Sequence, residues 1–262
     1  MDFGIRGKVA MVAAGSRGLG YACARALAQE GCAVSICGRG AEALEAARHA
    51  LEALSVPVLA LQADVTREED LRRWFQATEA SLGPVDILVT NTGGPKAAGF
   101  DGLSDADWEA GVQGTLLNAV RLCRLALPGM RARRWGRIVH ITSLVAKQPL
   151  PLLTISSTLR AGLSGLTRTL ALETAPSGIT VNALLPGHIL TDRQHHLGRI
   201  KAQAEGISLE EALAATAATI PMGRIGSPEE IGAAIAFLCS RPAAYITGQS
   251  LLVDGGLVQG TF

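Results

Sequence analysis

The chain has 262 residues, of which 48% are hydrophobic and 18% charged, so it can bury a large apolar core, and this composition excludes intrinsic disorder. Lys and Arg together number 24, Asp and Glu number 23, and the net charge is +1, which excludes the basic surface that binds nucleic acid or anionic membrane. We therefore expect neither nucleic acid nor a membrane as a partner.

The N-terminal residues lack the basic and apolar segments of a signal peptide, and no uncharged apolar run approaches the roughly 18 residues that cross a bilayer. The five cysteines form no CxxC pair and show no metal-ligand spacing with histidine. A scattered, odd set is typical of buried thiols in a reducing compartment. The sequence predicts a cytoplasmic protein without a metal site.

Apolar runs alternate with amphipathic stretches along the chain. The runs predicted as strands are 9–13, 33–37, 58–62, 87–90, 137–142, 180–184 and 250–253. The stretches predicted as helices are 18–29, 41–54, 68–81, 104–131, 155–175 and 228–239. Near-continuous apolar strands are typical of parallel sheets covered on both faces. The pattern predicts an α/β fold of Rossmann type, a doubly wound parallel seven-stranded sheet with helices on both faces, in one domain over 1–262.

One region interrupts this alternation, between the strand that ends near Leu185 and the helix that begins near Ser227. It contains a helical stretch over 192–219, followed by Pro221. An insertion here lies at the carboxyl edge of the sheet, where open α/β folds bind ligands. We expect a helical substrate lid at about 192–221; a packed surface hairpin is the alternative.

A glycine-rich turn joins the first strand to the first helix. Its residues after Ala14 are Gly15, Ser16, Arg17, Gly18, Leu19 and Gly20. Glycines let the backbone approach a pyrophosphate, and the free N–H groups of a helix N-terminus favour its charge. The spacing is GxxxGxG, and its place in the β-α pattern predicts a dinucleotide site.

Further motifs follow the later strands in a fixed order. They are Asp64-Val65, Asn91-Thr92-Gly93-Gly94, Ser143, Pro186-Gly187 with Ile189 and Thr191 beyond, and Val253-Asp254-Gly255-Gly256. With the glycine turn they resemble the short-chain dehydrogenase/reductase family along the whole chain, in particular its branch similar to 3-oxoacyl-acyl-carrier-protein reductases. The resemblance implies a nicotinamide cofactor held by the glycine turn and by residues of these motifs, with Asp64 near the adenine.

The second strand indicates which cofactor is bound. Sites that prefer NAD usually carry an acidic residue about 20 residues beyond the glycines, to hold the ribose hydroxyls. Here the strand ends Cys37-Gly38-Arg39, without an acid, and Arg17 lies in the glycine turn. Two guanidinium groups near the adenosine ribose suit a 2′-phosphate, so we expect NADP(H) to be preferred over NAD(H). Two solvated surface arginines are the alternative.

The catalytic positions depart from the family that the chain resembles. Family members use Asn, Ser, Tyr and Lys, with the tyrosine as proton donor and the lysine lowering its pKa and binding the nicotinamide ribose. By family spacing, Ser143 keeps the serine, but Thr115, Ser156 and Arg160 stand where asparagine, tyrosine and lysine are expected. Arg160 keeps a positive charge that suits the ribose, whereas Ser156 is a weak acid with a short reach.

Two residues are candidates for a replacement proton donor. Lys147 lies four residues after Ser143, in the loop that lines the family's substrate pocket, and a desolvated lysine there can donate near neutral pH. His188 follows Pro186-Gly187, and its ordinary pKa suits acid–base work. The alternatives are a solvated loop lysine and a histidine ring that points away.

These features predict an NADP(H)-dependent oxidoreductase acting on a carbonyl or alcohol substrate, with an atypical catalytic site. The alternative is a catalytically silent NADP(H)-binding protein that acts as a sensor or assembly partner. Apolar residues on the helices over 104–131 and 155–175 exceed one core-facing stripe. They are Leu116, Leu117, Val120, Leu159, Leu163 and Leu166. We expect these helices to form the interface of a homo-oligomer, a tetramer or a dimer.

Overall fold

The computed structural model describes residues 2–260. Seven strands of this part of the chain are β1 (Val9–Val12), β2 (Ala33–Gly38), β3 (Val58–Gln62), β4 (Ile87–Thr90), β5 (Gly136–Ile141), β6 (Ile179–Pro186) and β7 (Ser250–Val253). They form one sheet in the order β3-β2-β1-β4-β5-β6-β7. Every pair is parallel. The predicted fold class is confirmed.

Helices connect these strands. They are α1 (Gly18–Gln29), α2 (Ala41–Glu52), α3 (Glu68–Leu82), α4 (Asp105–Gly111), α5 (Asn118–Arg133), α6 (Thr154–Thr174), α7 (Asp192–Glu205), α8 (Leu209–Ala218) and α9 (Pro228–Cys239). No helix among residues 2–260 is both long and apolar enough to cross a membrane.

The sheet separates two apolar layers, because alternate strand residues point to opposite faces. On β5, Val139 packs into the layer formed with α1, α2 and α9, whereas its neighbour Ile138 packs into the layer formed with α3, α5 and α6. All five cysteines are buried and free, as the sequence predicts. Burial raises the pKa of the Cys32, Cys37 and Cys123 thiols to about 12.

The strand order reverses beside β1, which pairs with β2 on one side and β4 on the other. Loops that leave the carboxyl ends of β1 and β4 therefore turn in opposite directions and open a crevice, the usual ligand site of such sheets. The glycine turn lies on one side of this crevice and Asn91 on the other.

Two segments differ from a simple reading of the sequence. The stretch predicted as one helix over 104–131 contains a π-helical turn, Val112–Leu117, between α4 and α5. The stretch over 192–219 forms two helices, because Gly206 ends α7 in the left-handed conformation (φ 68°). We call α7 and α8 with Gly206 and their connecting residues the α7–α8 hairpin.

Candidate functional site

Two glycines of the turn are packed too closely to carry a side chain. A Cβ at Gly20 would overlap the carbonyl oxygen of Ala14, and one at Gly15 would lie 2.7 Å from Ile36 Cγ2. Ala14 itself has φ 47°, and its carbonyl accepts a hydrogen bond from Nδ2 of Asn91 at 3.4 Å. The turn after β1 is thereby tied to the end of β4.

The start of α1 faces the loop after β6. No side chain caps the N-terminus of α1, so the N–H groups of its first turn are available to an anion. Gly18 has φ +54°, and a Cβ there would lie 3.7 Å from Thr191 Cγ2. At the other end of this loop, Gly187 lies against Asp254, and Ile189 is buried beside Gly226. This cradle of glycines and free N–H groups fits a dinucleotide pyrophosphate.

The loops after β1 and β2 carry both arginines that the sequence singled out. Arg17 and Arg39 are exposed. Ser16 lies against the end of β2, since a Cβ at Gly38 would be 2.7 Å from its hydroxyl oxygen. Burial raises the pKa of Asp64, but hydrogen bonds from Thr66 and the charge of Arg39 outweigh it and hold that pKa below its ordinary value.

The remaining cofactor candidates differ in how deeply they are buried. Val65 is half-buried against the α3–α5 layer, Leu19 is half-buried against the α1–α9 layer, and Pro186 is buried at the end of β6. Gly93 is exposed, with no atom within 4 Å of a Cβ built there.

Three of the catalytic candidates lie around the end of β5, namely Ser143, Ser156 and Arg160. Ser143 is half-buried directly after β5, and its hydroxyl accepts a hydrogen bond from the N–H of Val145 at 3.4 Å. Thr115 is buried in the π-helical turn. On α6, Ser156 and Arg160 are each 8% exposed, and Nε of Arg160 donates to Oγ of Ser156 at 3.1 Å.

Arg160 turns inward, towards backbone carbonyls. Its Nη1 donates to the carbonyl oxygens of Ile141, at 3.3 Å, and of Thr142. Its Nη2 lies 3.9 Å from the position of a Cβ at Gly94. Burial, and then the charge of Arg193, lower the pKa of Arg160 to about 10. The guanidinium group therefore carries its charge in a buried place without a carboxylate partner among residues 2–260.

The two candidate proton donors differ in their surroundings. Lys147 is exposed, so this structure lacks the desolvation that its proposed acidity requires, and the solvated loop lysine is favoured. His188 is half-buried, and its Nδ1 lies 3.1 Å from Oε1 of Gln194 on α7. The α7–α8 hairpin therefore orients the ring, and no hydrogen-bond partner of Nε2 is found within residues 2–260.

Arg193 belongs to the same region, although the sequence analysis did not select it. It is half-buried on the first turn of α7, and its Nη2 donates to the carbonyl oxygen of Pro95 at 3.4 Å. The sequence did show a basic residue two positions after Thr191. It does not show that this side chain points back across the crevice towards the end of β4.

Comparison with known proteins identifies the family. A family model described as enoyl-(acyl carrier protein) reductase matches residues 13–258. The 3-oxoacyl-acyl-carrier-protein reductase of Aquifex aeolicus (strain VF5) is 35% identical over 258 residues, which cover 98% of this chain and 100% of the relative. The chain belongs to the short-chain dehydrogenase/reductase family. This family membership makes it one of the oxidoreductases, of the type similar to 3-oxoacyl-acyl-carrier-protein reductases.

Solved structures of short-chain dehydrogenases/reductases match over the whole fold. L-sorbose reductase from Gluconobacter frateurii, in complex with NADPH and L-sorbose, has a TM-score of 0.95 and 35% identity, covering 99% of this chain and 100% of that one. An NADPH-bound short-chain oxidoreductase from Pseudomonas aeruginosa PAO1, described as containing an atypical catalytic centre, has a TM-score of 0.88 and 34% identity, covering 97% of this chain and 98% of that one.

Proposed function

We propose that the chain is an NADP(H)-dependent oxidoreductase that interconverts a carbonyl compound and its alcohol through an atypical catalytic centre. The observation that carries this proposal is the cradle between the glycine turn and Thr191, combined with Ser143 at the end of the neighbouring strand. Solved relatives that hold NADPH support the choice of cofactor.

NADPH, when bound, supplies a hydride to the carbonyl carbon, and a proton must reach the carbonyl oxygen. The free N–H groups of α1 would hold the pyrophosphate, and Thr191 lies beside the start of this helix. Arg17 and Arg39, which are both exposed, would bind the 2′-phosphate, since a guanidinium group can make two parallel hydrogen bonds to a phosphate. Ser143 donates its hydroxyl hydrogen to the substrate oxygen, which orients the carbonyl.

The proton itself needs a donor other than tyrosine. His188 is the stronger candidate, because its ring is oriented by Gln194 beside the loop that closes on the cofactor. Lys147 is the weaker one because it is exposed. The α7–α8 hairpin, as a lid over 192–221, excludes water from this pocket.

The first experiment measures NADPH consumption against ketones, quinones and 3-oxoacyl thioesters, in the wild type and in two variants. We expect His188→Ala to lose most of the activity, by about 10²-fold, and Lys147→Met to keep it. The reverse pattern would assign the donor to Lys147. No consumption with any substrate, in a protein that binds NADPH, would overturn the proposed reaction.

A catalytically silent NADP(H)-binding protein is the second candidate. The hydrogen bond from Arg160 to Ser156 favours it, because it fills the place of the tyrosine–lysine pair with two groups that bind each other. Such a protein would act as a sensor or an assembly partner.

Cofactor preference is tested separately, by fluorescence titration with NADPH and NADH. We expect tighter binding of NADPH, by about tenfold or more, because a charge-assisted hydrogen bond to phosphate contributes about 1.5–3 kcal/mol. Arg39→Ala should reduce the difference, whereas Arg6→Ala, near the amino ends of β1 and β2, should not. Equal affinities in the wild type would contradict the preference.

A further inference from the structure

Two guanidinium groups converge on one dipeptide of the crevice. Nη2 of Arg160 lies beside Gly94, at 3.9 Å from the position of a Cβ there, and Nη2 of Arg193 donates to the carbonyl oxygen of Pro95. Gly94 and Pro95 are adjacent, and they follow β4, whose end forms one side of the crevice. One cation comes from α6 and the other from α7.

These two cations have no counter-charge from the protein. Among residues 2–260, no carboxylate lies within 4.0 Å of a nitrogen of either guanidinium group. Asp192, which directly precedes Arg193, is exposed, and Asp107 on α4 binds Lys96 at 2.8 Å. Burying a charge is costly unless it is paired with an opposite charge, and a like charge nearby adds to the cost.

The hydrogen bonds of Arg160 leave one edge of its guanidinium group available. Nε and Nη1 donate to Ser156 and to the carbonyl oxygens of Ile141 and Thr142, whereas no hydrogen-bond partner of Nη2 is found within residues 2–260. Burial lowers the pKa of both Arg160 and Arg193, and their mutual repulsion lowers that of Arg160 further. An anion between them would relieve both effects.

We propose that Arg160 and Arg193 bind a carboxylate of the substrate, so that the enzyme acts on short oxo acids rather than on neutral ketones. The planar fork of a guanidinium group matches a carboxylate with two parallel hydrogen bonds. Since Gly94 and Pro95 follow directly from the crevice, the carboxylate lies near the reacting carbonyl, as in a 2-oxo or 3-oxo acid. In the reduction, the carbonyl carbon gains the hydride of NADPH, its oxygen gains one proton, and NADP⁺ leaves.

Binding to the protein saturated with NADPH tests this assignment without turnover. Benzoate and propionate, each compared with its amide, are titrated by calorimetry into the wild type and Arg193→Gln. We expect at least one carboxylate to bind more tightly than its amide, and Arg193→Gln to weaken that carboxylate by about tenfold or more. Arg199→Gln, an exposed arginine on the same helix, serves as the control and should bind as the wild type does.

Three results would overturn the assignment. The first is equal binding of the acids and their amides, and the second is an unchanged carboxylate affinity in Arg193→Gln. The third is a loss of NADPH affinity in that variant as large as its loss of carboxylate affinity. The last result would show that the cofactor is the anion that Arg193 binds.

The proposed substrate class rests on the proposed function. Kinetics with 2-oxo and 3-oxo acids and with their methyl esters tests the anion site and the reaction separately. We expect the acids to have the higher kcat/KM in the wild type and to lose this advantage in Arg193→Gln. If carboxylates bind as expected but no carbonyl compound is reduced, the proposed reaction fails and the anion site stands. If neutral ketones are reduced and no carboxylate binds, the anion site fails and the reaction stands.

Discussion

Among single residues, Ser156 and Arg160 on α6 replace the family's tyrosine and lysine. Their presence changes the cation at the end of β5 from an ammonium to a guanidinium group. A lysine ammonium is a compact, strongly hydrated charge, whereas a guanidinium group is planar and donates in several directions. Arg160 uses this shape to hold Ser156 and two backbone carbonyls at once. The residues at 156 and 160 are therefore coupled. Restoring the family residue at one position should have its full effect only when the other position is restored as well.

This coupling predicts the result of restoring the family residues. The triple variant Thr115→Asn, Ser156→Tyr and Arg160→Lys should raise turnover of a neutral ketone by about 10²-fold, the usual contribution of a positioned acid. Ser156→Tyr alone should raise turnover less, because no lysine would lower the pKa of the introduced tyrosine. NADPH oxidation at saturating cofactor measures both. A folded triple variant that binds NADPH and stays at the wild-type rate would contradict this explanation.

His140 on β5 makes the stability depend on pH. It is fully buried, its Nδ1 lies 2.7 Å from the hydroxyl of Thr90, and burial lowers its pKa to about 4. The ordinary histidine pKa is about 6.5, so below that pH the unfolded chain binds a proton that the folded chain excludes. Stability conferred by the neutral ring is therefore present above about pH 6.5 and falls as the pH drops towards 4.

We expect the free energy of unfolding to fall by about 2 kcal/mol between pH 7 and pH 5 because of this ring. Urea denaturation at the two pH values measures it. His140→Gln should remove most of the difference, whereas His196→Gln, at an exposed position, should retain it. A wild-type difference that persists in His140→Gln would assign it to other groups.

Among the secondary-structure elements, the strands could be predicted from the sequence. Near-continuous apolar runs bounded by turn residues are typical of parallel strands that are covered on both faces. The π-helical turn could not be predicted, since six residues are too few to separate its period from that of an α-helix. Gly206 carried a signal for the break between α7 and α8. Nothing in the sequence shows that Arg160 turns to the carbonyls of β5, or that Arg193 reaches Pro95, because side-chain direction depends on the assembled fold.

The α7–α8 hairpin depends on a close approach at Gly198. A Cβ there would lie 2.9 Å from Leu209 Cδ1 and 3.2 Å from Leu213 Cδ2. Gly198→Leu should therefore push α8 away from α7, speed proteolysis within 192–219 and raise the KM for substrate several-fold. NADPH affinity should change little. His196→Leu adds the same side chain at an exposed position of α7 and is the matched control; equal effects of both variants would contradict a role of the packing.

At the scale of the whole molecule, the apolar residues proposed for a subunit interface divide into two groups. Leu159 and Leu163 are buried within the chain, at 7% and 2% exposure, so they belong to its own core. The residues that stay half-buried are Leu116, Leu117, Val120 and Leu166. Leu172 on α6 is 70% exposed. The interface that we propose on α5, α6 and the π-helical turn thus has a smaller apolar set than the sequence suggested.

Light scattering at micromolar concentration should give a dimer or tetramer. The double variant Leu116→Glu and Val120→Glu should shift it to a smaller species, because paired subunits cannot bury unpaired charges. Ile200→Glu, on the exposed side of α7, should leave the mass unchanged. A monomeric wild type would contradict the proposed assembly.

The proposed function requires that this short-chain dehydrogenase/reductase transfers hydride without the family's tyrosine and lysine. The most direct measurement uses NADPH that carries deuterium at the transferable C4 position, with the carbonyl substrate that is consumed best, and mass spectrometry of the product. We expect one deuterium on the carbinol carbon of every alcohol molecule. Bound, intact NADPH with no deuterated alcohol from any carbonyl substrate would contradict it and would favour the silent cofactor-binding protein.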